Sequence, residues 1–281
     1  MTRSRIATLT AATLLAFAAN SLLTRGALAG GRLDAATFLA LRMISGAVML
    51  SALAWKRQAP AHDPANHWQS TLALTGYAVA FTFAYLRIGA GIGALTLFGG
   101  VQTTMIAAGL RAGERPGRLE VAGLVVALAG LVILTVPGAA RPSLWGVGLM
   151  VSAGVCWGVY SLRGRRSREP LVGTAHNFAR AVPVVLLIAL WQWPARHYTT
   201  AGVLLAIVSG ALTSGVGYAL WYTVLPHLTT WRAALVQLLT PVLTAVAAVV
   251  MLGEAMSVRL LVSGTVIIAG VLLSMAGRRR S

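Results

Sequence analysis

The chain has 281 residues, 57% of them hydrophobic and 10% charged, with a mean hydropathy of +0.77 and a formal net charge of +17. So few charges cannot solubilise so much apolar surface in a water-soluble domain, which makes lipid the solvent over most of the chain. Nucleic-acid binding is excluded as the reason for the basic excess, because the arginines sit in short breaks between apolar runs.

About 20 apolar residues cross a hydrocarbon core of roughly 30 Å, and the sequence predicts such spans at 6–24, 34–54, 68–87, 91–110, 119–137, 144–162, 173–193, 201–222, 230–251 and 257–276. Arg3, Arg5 and the Ala27-Leu28-Ala29 tripeptide frame the first span like a cleaved signal peptide. That run is long enough to span, however, and further spans follow at once, so the first helix is expected to be retained. It carries Asn20 and Ser21, and the second carries Arg42. The longest break, from Lys56 to His67, contains Pro60 and Pro64. Span three places Tyr77, Phe81 and Tyr85 at i, i+4 and i+8, one stripe of a helix. Span four holds Thr96 and Gln102 and is followed by Gly113-Glu114-Arg115-Pro116. Cys156, the single cysteine, and Trp157 lie inside span six, so there is no disulfide framework and no thiolate metal site. Arg180 falls in span seven, Tyr218, Trp221 and Tyr222 in span eight, and Gln237, Thr240 and Pro241 in span nine. The glycine-rich stretches 89–100 and 210–217 allow close helix packing or a hinge.

Counting Lys and Arg in alternate breaks gives 15 on the side that includes both termini and 6 on the other. By the positive-inside rule both termini are cytoplasmic, which agrees with an even number of spans. Trp55, Trp68, Trp145, Trp191, Trp193 and Trp231 fall at or beside span ends, where an amphipathic ring sits at the interface. These features predict a multi-pass protein of the bacterial cytoplasmic (inner) membrane.

Shifting the sequence by 140 residues lays 94–134 on 234–274, matching Ala94-Leu95 to Ala234-Leu235, Gly113-Glu114 to Gly253-Glu254 and Ala129-Gly130 to Ala269-Gly270. The Gly-Glu match carries most weight, because the chain holds four glutamates. An offset of 138 aligns Arg25 with Arg163 and Arg42 with Arg180. The expected fold is therefore an all-α membrane protein of ten transmembrane helices in two five-helix repeats, 1–138 and 139–281. An odd number of spans per repeat makes the second enter the membrane inverted, around a central cavity, as in many transporters.

Ten spans in two units, Gly113-Glu114-Arg115-Pro116 after the fourth, Pro241 within the ninth and Gly253-Glu254 after it resemble the EamA branch of the drug/metabolite transporter superfamily, and most closely its YddG-type amino-acid exporters. The resemblance implies export of amino acids or other small metabolites, with spans 1, 3, 4, 6, 8 and 9 lining the cavity. Val101 stands where the repeat would put the counterpart of Pro241, so the first half is expected to lack that kink.

All six carboxylates, Asp34, Asp63, Glu114, Glu120, Glu169 and Glu254, fall in breaks or at span ends. Ion-coupled carriers and exporters of organic cations usually keep a carboxylate at membrane depth, so facilitated transport is expected, with His176 or His227 the remaining candidates for proton coupling. Lys56 is the one lysine and has no Gly-rich phosphate loop, which excludes ATP hydrolysis. The five histidines are divided between the two sides, so no catalytic site, metal or cofactor is expected. Arg42 and Arg180 read first as structural intramembrane charges that hydrogen-bond nearby carbonyls, and second as contacts to a substrate carboxylate. Asn20, Ser21, Thr96 and Gln237 must face protein or a wet cavity. With Tyr77, Phe81, Tyr85, Trp157, Tyr218 and Trp221 they form the candidate substrate-binding set. A lipid-interface belt or helix packing is the competing role for the aromatic residues, and for Tyr85 and Tyr222, near span ends, it is the simpler one.

The expected partners are the lipid bilayer and a neutral or zwitterionic small solute, an aromatic amino acid included, moved by alternating access. A carrier of drugs, nucleosides or sugar conjugates and a membrane-embedded enzyme are the alternatives. Oligomeric state is not legible.

Overall fold

The computed structural model describes all residues except 29–30, 58–62, 64–66, 89, 136–142, 194–195, 253–255 and 278–281. Ala29, Pro60, His62, Pro64, Gly89, the boundary at 138/139, Arg141, the Gly253-Glu254 pair and Arg278 to Arg280 lie outside the described residues.

Helix α1 covers Arg3–Leu28, α2 Ala35–Ala54, α3 Trp68–Ala84, α4 Ala90–Arg111, α5 Arg118–Thr135, α6 Leu144–Arg165 and α7 Pro170–Trp191. α8 (Thr200–Val208) runs through a π-helical stretch, Ser209–Val216, into α9 (Gly217–Val224). α10 (Thr230–Gln237) and α11 (Leu239–Leu252) make a broken ninth rod, and α12 (Val258–Ala276) is the tenth. Among the described residues, nine rods are long and apolar enough to cross a membrane; α3 has 17 residues, about 25 Å, and its continuation at 85–87 is a turn. An isolated antiparallel bridge, Leu33 to Tyr198, is the one β feature among the described residues.

Local chemistry sets the helix starts. Asp34, Ser143, Thr199, Thr229 and Ser257 each accept from the backbone N–H three residues on, satisfying a donor that has no intrahelical partner. Gly113, at φ +83°, ends α4 in the left-handed region, where the Glu114 N–H reaches the Gly109 carbonyl at 2.9 Å.

Val48, Leu72, Val125, Leu187 and Leu272 are all more than half exposed. An apolar outer surface of that extent fits lipid. Trp55, Trp68, Trp145, Trp191 and Trp193 are exposed near helix ends, as expected of an interfacial belt. Trp231 corrects that expectation. It is buried and its indole N–H reaches Ser274 Oγ at 3.4 Å, because α10 begins inside the bundle.

In the packing, α5 lies against α12, α2 against α7, and α6 against both α3 and α4, while α1 packs on α8, α9 and α11. Glycines permit the closest crossings. A Cβ at Gly154 of α6 would fall on the Leu97 carbonyl oxygen of α4, and one at Gly100 would come within 2.8 Å of the Val151 carbonyl oxygen.

At the arginine-rich end, Glu114 accepts from the Thr230 N–H at 2.9 Å and the Trp231 N–H at 3.2 Å, capping α10 from the α4–α5 turn. Arg165 lies 3.6 Å from the same carboxylate and donates to the Thr230 hydroxyl. Nearby, Asp63 accepts from the Arg168 N–H at 2.9 Å, and Arg163 Nε donates to Ser70 Oγ at 2.7 Å. Burial is the largest influence on the Glu114 carboxyl and pushes its pKa up. The hydrogen bonds from Thr230 and Trp231, with Arg165 beside it, outweigh burial and hold it below the ordinary value. Its stabilisation is therefore fully present above the ordinary carboxylate range and is lost as pH falls through the lowered value. Glu114→Gln should lower the thermal midpoint at neutral pH and shrink its fall on acidification. An unchanged acid limb would show that this cap contributes nothing.

Candidate substrate cavity

The rods enclose a cavity of about 430 Å³. Its outer part is lined by Arg25 near the end of α1, Tyr85 after α3, Thr135 ending α5, and Ser257 and Arg259 at the start of α12. All of these lie at the arginine-poor ends of the helices. Its inner part is lined by Phe17, Asn20, Tyr77, Trp157, Tyr218 and Gln237.

Trp157 is the hub of an aromatic wall. Its ring lies 4.9 Å from Tyr218, 5.1 Å from Tyr77 and 5.4 Å edge-on from Phe17. Tyr77, Phe81 and Tyr85 continue the wall outward as the predicted stripe, at 5.3 and 4.8 Å between neighbours. The Trp157 indole N–H donates to Gln237 Oε1 at 2.7 Å, and Gln237 Nε2 donates to the Ala233 carbonyl at 3.0 Å. Gln237 is the last residue of α10. Pro241 has no N–H to offer the Gln237 carbonyl, so the helix breaks at Leu238 and restarts as α11. α4, with Val101 at the corresponding position, runs unbroken.

On the opposite wall, Asn20 Oδ1 accepts from Ser209 Oγ at 2.7 Å and Thr213 Oγ1 at 3.1 Å. Both donors belong to the π-helical stretch and, four residues apart, lie on one side of the rod. Ser214 of that stretch accepts from Arg42 Nε at 3.1 Å. Arg42 is 1% exposed, and its guanidinium carbon lies 5.8 Å from the Tyr77 ring and 5.7 Å from the Phe81 ring, behind the cavity wall. Arg180, its match in the sequence repeat, is exposed on α7. The two arginines therefore do not share an environment.

Beneath the cavity, the Trp221 indole N–H reaches Ser161 Oγ at 3.4 Å and the Tyr222 hydroxyl donates to the Tyr160 carbonyl at 3.3 Å. These buried contacts, with the Glu114 cap, close the arginine-rich end.

Asn20, Ser21, Tyr77, Phe81, Tyr85, Trp157, Tyr218 and Gln237 all line the cavity. Thr96 and Trp221 are not among the lining residues. α4 presents Ala94, Leu97 and Phe98, and the helical period turns Thr96 to the other face. Trp221 sits about one turn deeper than Tyr218, in the closed end. Tyr222 is buried there, packed between helices rather than in an interface belt. His176 and His227 are exposed and lie outside the lining. Phe17, Arg25 and Arg259 were not anticipated. Phe17, Asn20, Ser21 and Arg25 follow one helical stripe, a signal that could have found them, whereas both arginines read as ordinary loop charges.

A bundle of apolar helices around a half-closed polar and aromatic cavity has the architecture of a solute carrier. Residues 144–276 match the EamA-like transporter family. An uncharacterized protein of Pseudomonas aeruginosa is 44% identical over 270 residues, 96% of this chain and 94% of its own length. A "probable amino-acid metabolite efflux pump" of Salmonella typhimurium is 26% identical over 71% of this chain and 73% of its own. The threonine/homoserine exporter RhtA of Escherichia coli is 29% identical over 64% and 62% respectively. A solved crystal structure superposes with a TM-score of 0.81 at 19% identity, covering 99% of this chain and all of its own, which shows a shared fold. The chain belongs to the EamA-like transporter family and is a multi-pass protein of the bacterial inner membrane.

Proposed function

We propose that the chain exports small neutral or zwitterionic metabolites, amino acids including aromatic ones, by facilitated alternating access. The observation that carries this reading is the cavity itself, aromatic on its inner wall and lined by no carboxylate among the described residues. Its volume lies within the range of about 300–1,000 Å³ usual for small-molecule sites. Aromatic walls suit aromatic and thioether side chains. The efflux pump and the threonine/homoserine exporter among its relatives support amino acids as the class.

Alternating access calls for two halves that rock about a central site. The division into 1–138 and 139–281, the second half inverted, is supported by the sequence repeat and by the packing. Exchanging the halves maps α4 on α6 to α11 on α1, and α3 on α6 to α8 and α9 on α1, while α5 with α12 and α2 with α7 map onto themselves. With both termini cytoplasmic, the cavity faces outward, and the Glu114, Trp221 and Tyr222 contacts form the inner gate that must part for the solute to enter from the cytoplasm.

Counterflow of labelled phenylalanine, methionine and threonine in proteoliposomes tests the proposal. Flux above empty vesicles that persists without a proton gradient is the expected result. No flux for any amino acid would remove the substrate class, and strict dependence on a proton gradient would remove the facilitated mechanism.

A further inference from the structure

We infer that the inner end of the cavity is a carboxylate subsite charged by Arg42, so that a solute needs an acid group there and does not need an amine. This rests on the cavity being the substrate site and redraws the class proposed for it: solutes without an acid group are excluded, and monoanionic acids join the zwitterions.

The first observation is a buried cation that lacks a counter-ion. Arg42 donates from Nε to Ser214 Oγ, but its Nη1 is buried without any hydrogen-bond partner. The Tyr77 and Tyr218 hydroxyls also lie against the guanidinium, with the Tyr77 and Phe81 rings beside it, and no carboxylate among the described residues pairs with it. A guanidinium away from water is costly unless an anion or several acceptors meet it. The second observation is that the layer between Arg42 and the cavity is one side chain thick. Tyr77, Phe81 and Tyr218 all line the cavity, and the Tyr77 and Tyr218 hydroxyls reach from that lining to the guanidinium. Arg180 supplies no mirrored second site, since it is exposed on α7.

The third observation is the balance of donors and acceptors. The Asn20 amide oxygen already accepts two hydrogen bonds, from Ser209 and Thr213, and the Gln237 amide oxygen accepts one, from Trp157, which leaves it a single lone pair. Thr135 and Thr244 give their protons to the Leu131 and Thr240 carbonyls, so they offer a solute only neutral lone pairs. An ammonium would meet those lone pairs with a cation behind the wall. A carboxylate would meet the Asn20 amide N–H groups and phenolic hydroxyls, and would supply the counter-ion that Arg42 lacks, in a low-dielectric site where charge pairing counts for most. The chemistry fits a monoanionic acid with an aromatic or apolar tail, whether or not it carries an amine.

Thermal stabilisation of the purified full-length chain, with competition in counterflow, decides the matter using phenylalanine, 3-phenylpropionate and 2-phenylethylamine as probes. The acid should stabilise and compete at concentrations within about tenfold of phenylalanine, and the amine should do neither at about a hundredfold higher concentration. Arg42→Gln should weaken acid binding by about tenfold or more, with Arg42→Lys keeping most of it and Tyr218→Phe losing about threefold. An amine that binds as well as the acid, or an Arg42→Gln chain that binds the acid like the parent, overturns the inference. Should Arg42→Gln fail to fold, the three probes on the parent chain and Tyr218→Phe still decide it. If the acid binds while no amino acid is transported, the amino-acid proposal falls and the carboxylate subsite stands; if the amine alone binds, the subsite falls and the transport reading stands.

Discussion

Gly100→Leu should leave no folded protein in detergent, whereas Gly99→Leu, one position earlier on α4, should fold like the parent chain. A Cβ at Gly99 meets no atom within 4 Å. At Gly100 it would come within 2.8 Å of the Val151 carbonyl oxygen, 3.2 Å of the Gly154 Cα and 3.3 Å of the Val155 nitrogen. Every one of these is backbone, so no side-chain rotamer can relieve the clash and the helices must separate. The partner helix is built the same way: Gly154 faces the Leu97 carbonyl, and a Cβ at Gly158 would lie 2.8 Å from the Thr104 Cβ. Gly154 and Gly158 on one helix and Gly100 and Thr104 on the other form a seam of small residues four apart, the arrangement by which membrane helices gain contact where lipid supplies no hydrophobic drive. Overpacking a tight core costs about 1–3 kcal/mol when side chains can adjust, and more is expected here. Gly148→Leu, on the open face of α6, is the matching control for Gly154→Leu. Size-exclusion profiles and thermal midpoints would check all four. Equal behaviour of Gly99→Leu and Gly100→Leu would mean that α4 and α6 do not cross as described.

Gln237→Leu should cut transport by about tenfold or more while shifting the thermal midpoint little. The substitution leaves the Trp157 indole N–H without its acceptor at the centre of the aromatic wall. An orphaned buried donor costs about 1–3 kcal/mol, and in a cavity part of that is recovered by water, at the expense of the wall's geometry. Stability should fall less, because interhelical hydrogen bonds in membranes average only about 0.6 kcal/mol. Trp157→Phe removes the donor instead and should impair transport similarly. In a double-mutant cycle the second change should add little to the first, since the two residues act as one unit. Parent-like flux in Gln237→Leu at equal expression would show that the solute does not pass this wall. Full additivity would show that the hydrogen bond is incidental.

Features carried by a single helix were legible in the amino-acid order. The stripe of Tyr77, Phe81 and Tyr85 follows from the helical period alone and lines the cavity as a unit. Pro241 predicted the break after Gln237, and Val101 its absence from α4, because a missing N–H is a covalent fact. The stripe of Phe17, Asn20, Ser21 and Arg25 was equally periodic but mixes residue types, so no single chemical character marked it. Thr96 lies outside the lining, since polarity at depth says that a residue avoids lipid without saying which neighbour it meets.

The amino-acid order by itself determined the solvent, the number and position of the apolar rods and the confinement of carboxylates to breaks and span ends, because each depends on local composition and on the energy of placing a group in lipid. The tertiary structure decided everything that depends on how one rod is turned against another. It set Arg42 behind the cavity wall and Arg180 on an exposed face, although the two match in the repeat. It buried Trp231 beneath the Glu114 cap, joined Trp157 to Gln237, and set Ser209 and Thr213 against Asn20. Helix rotation and crossing angle come from the sum of many small contacts between distant segments, and no local pattern encodes that sum.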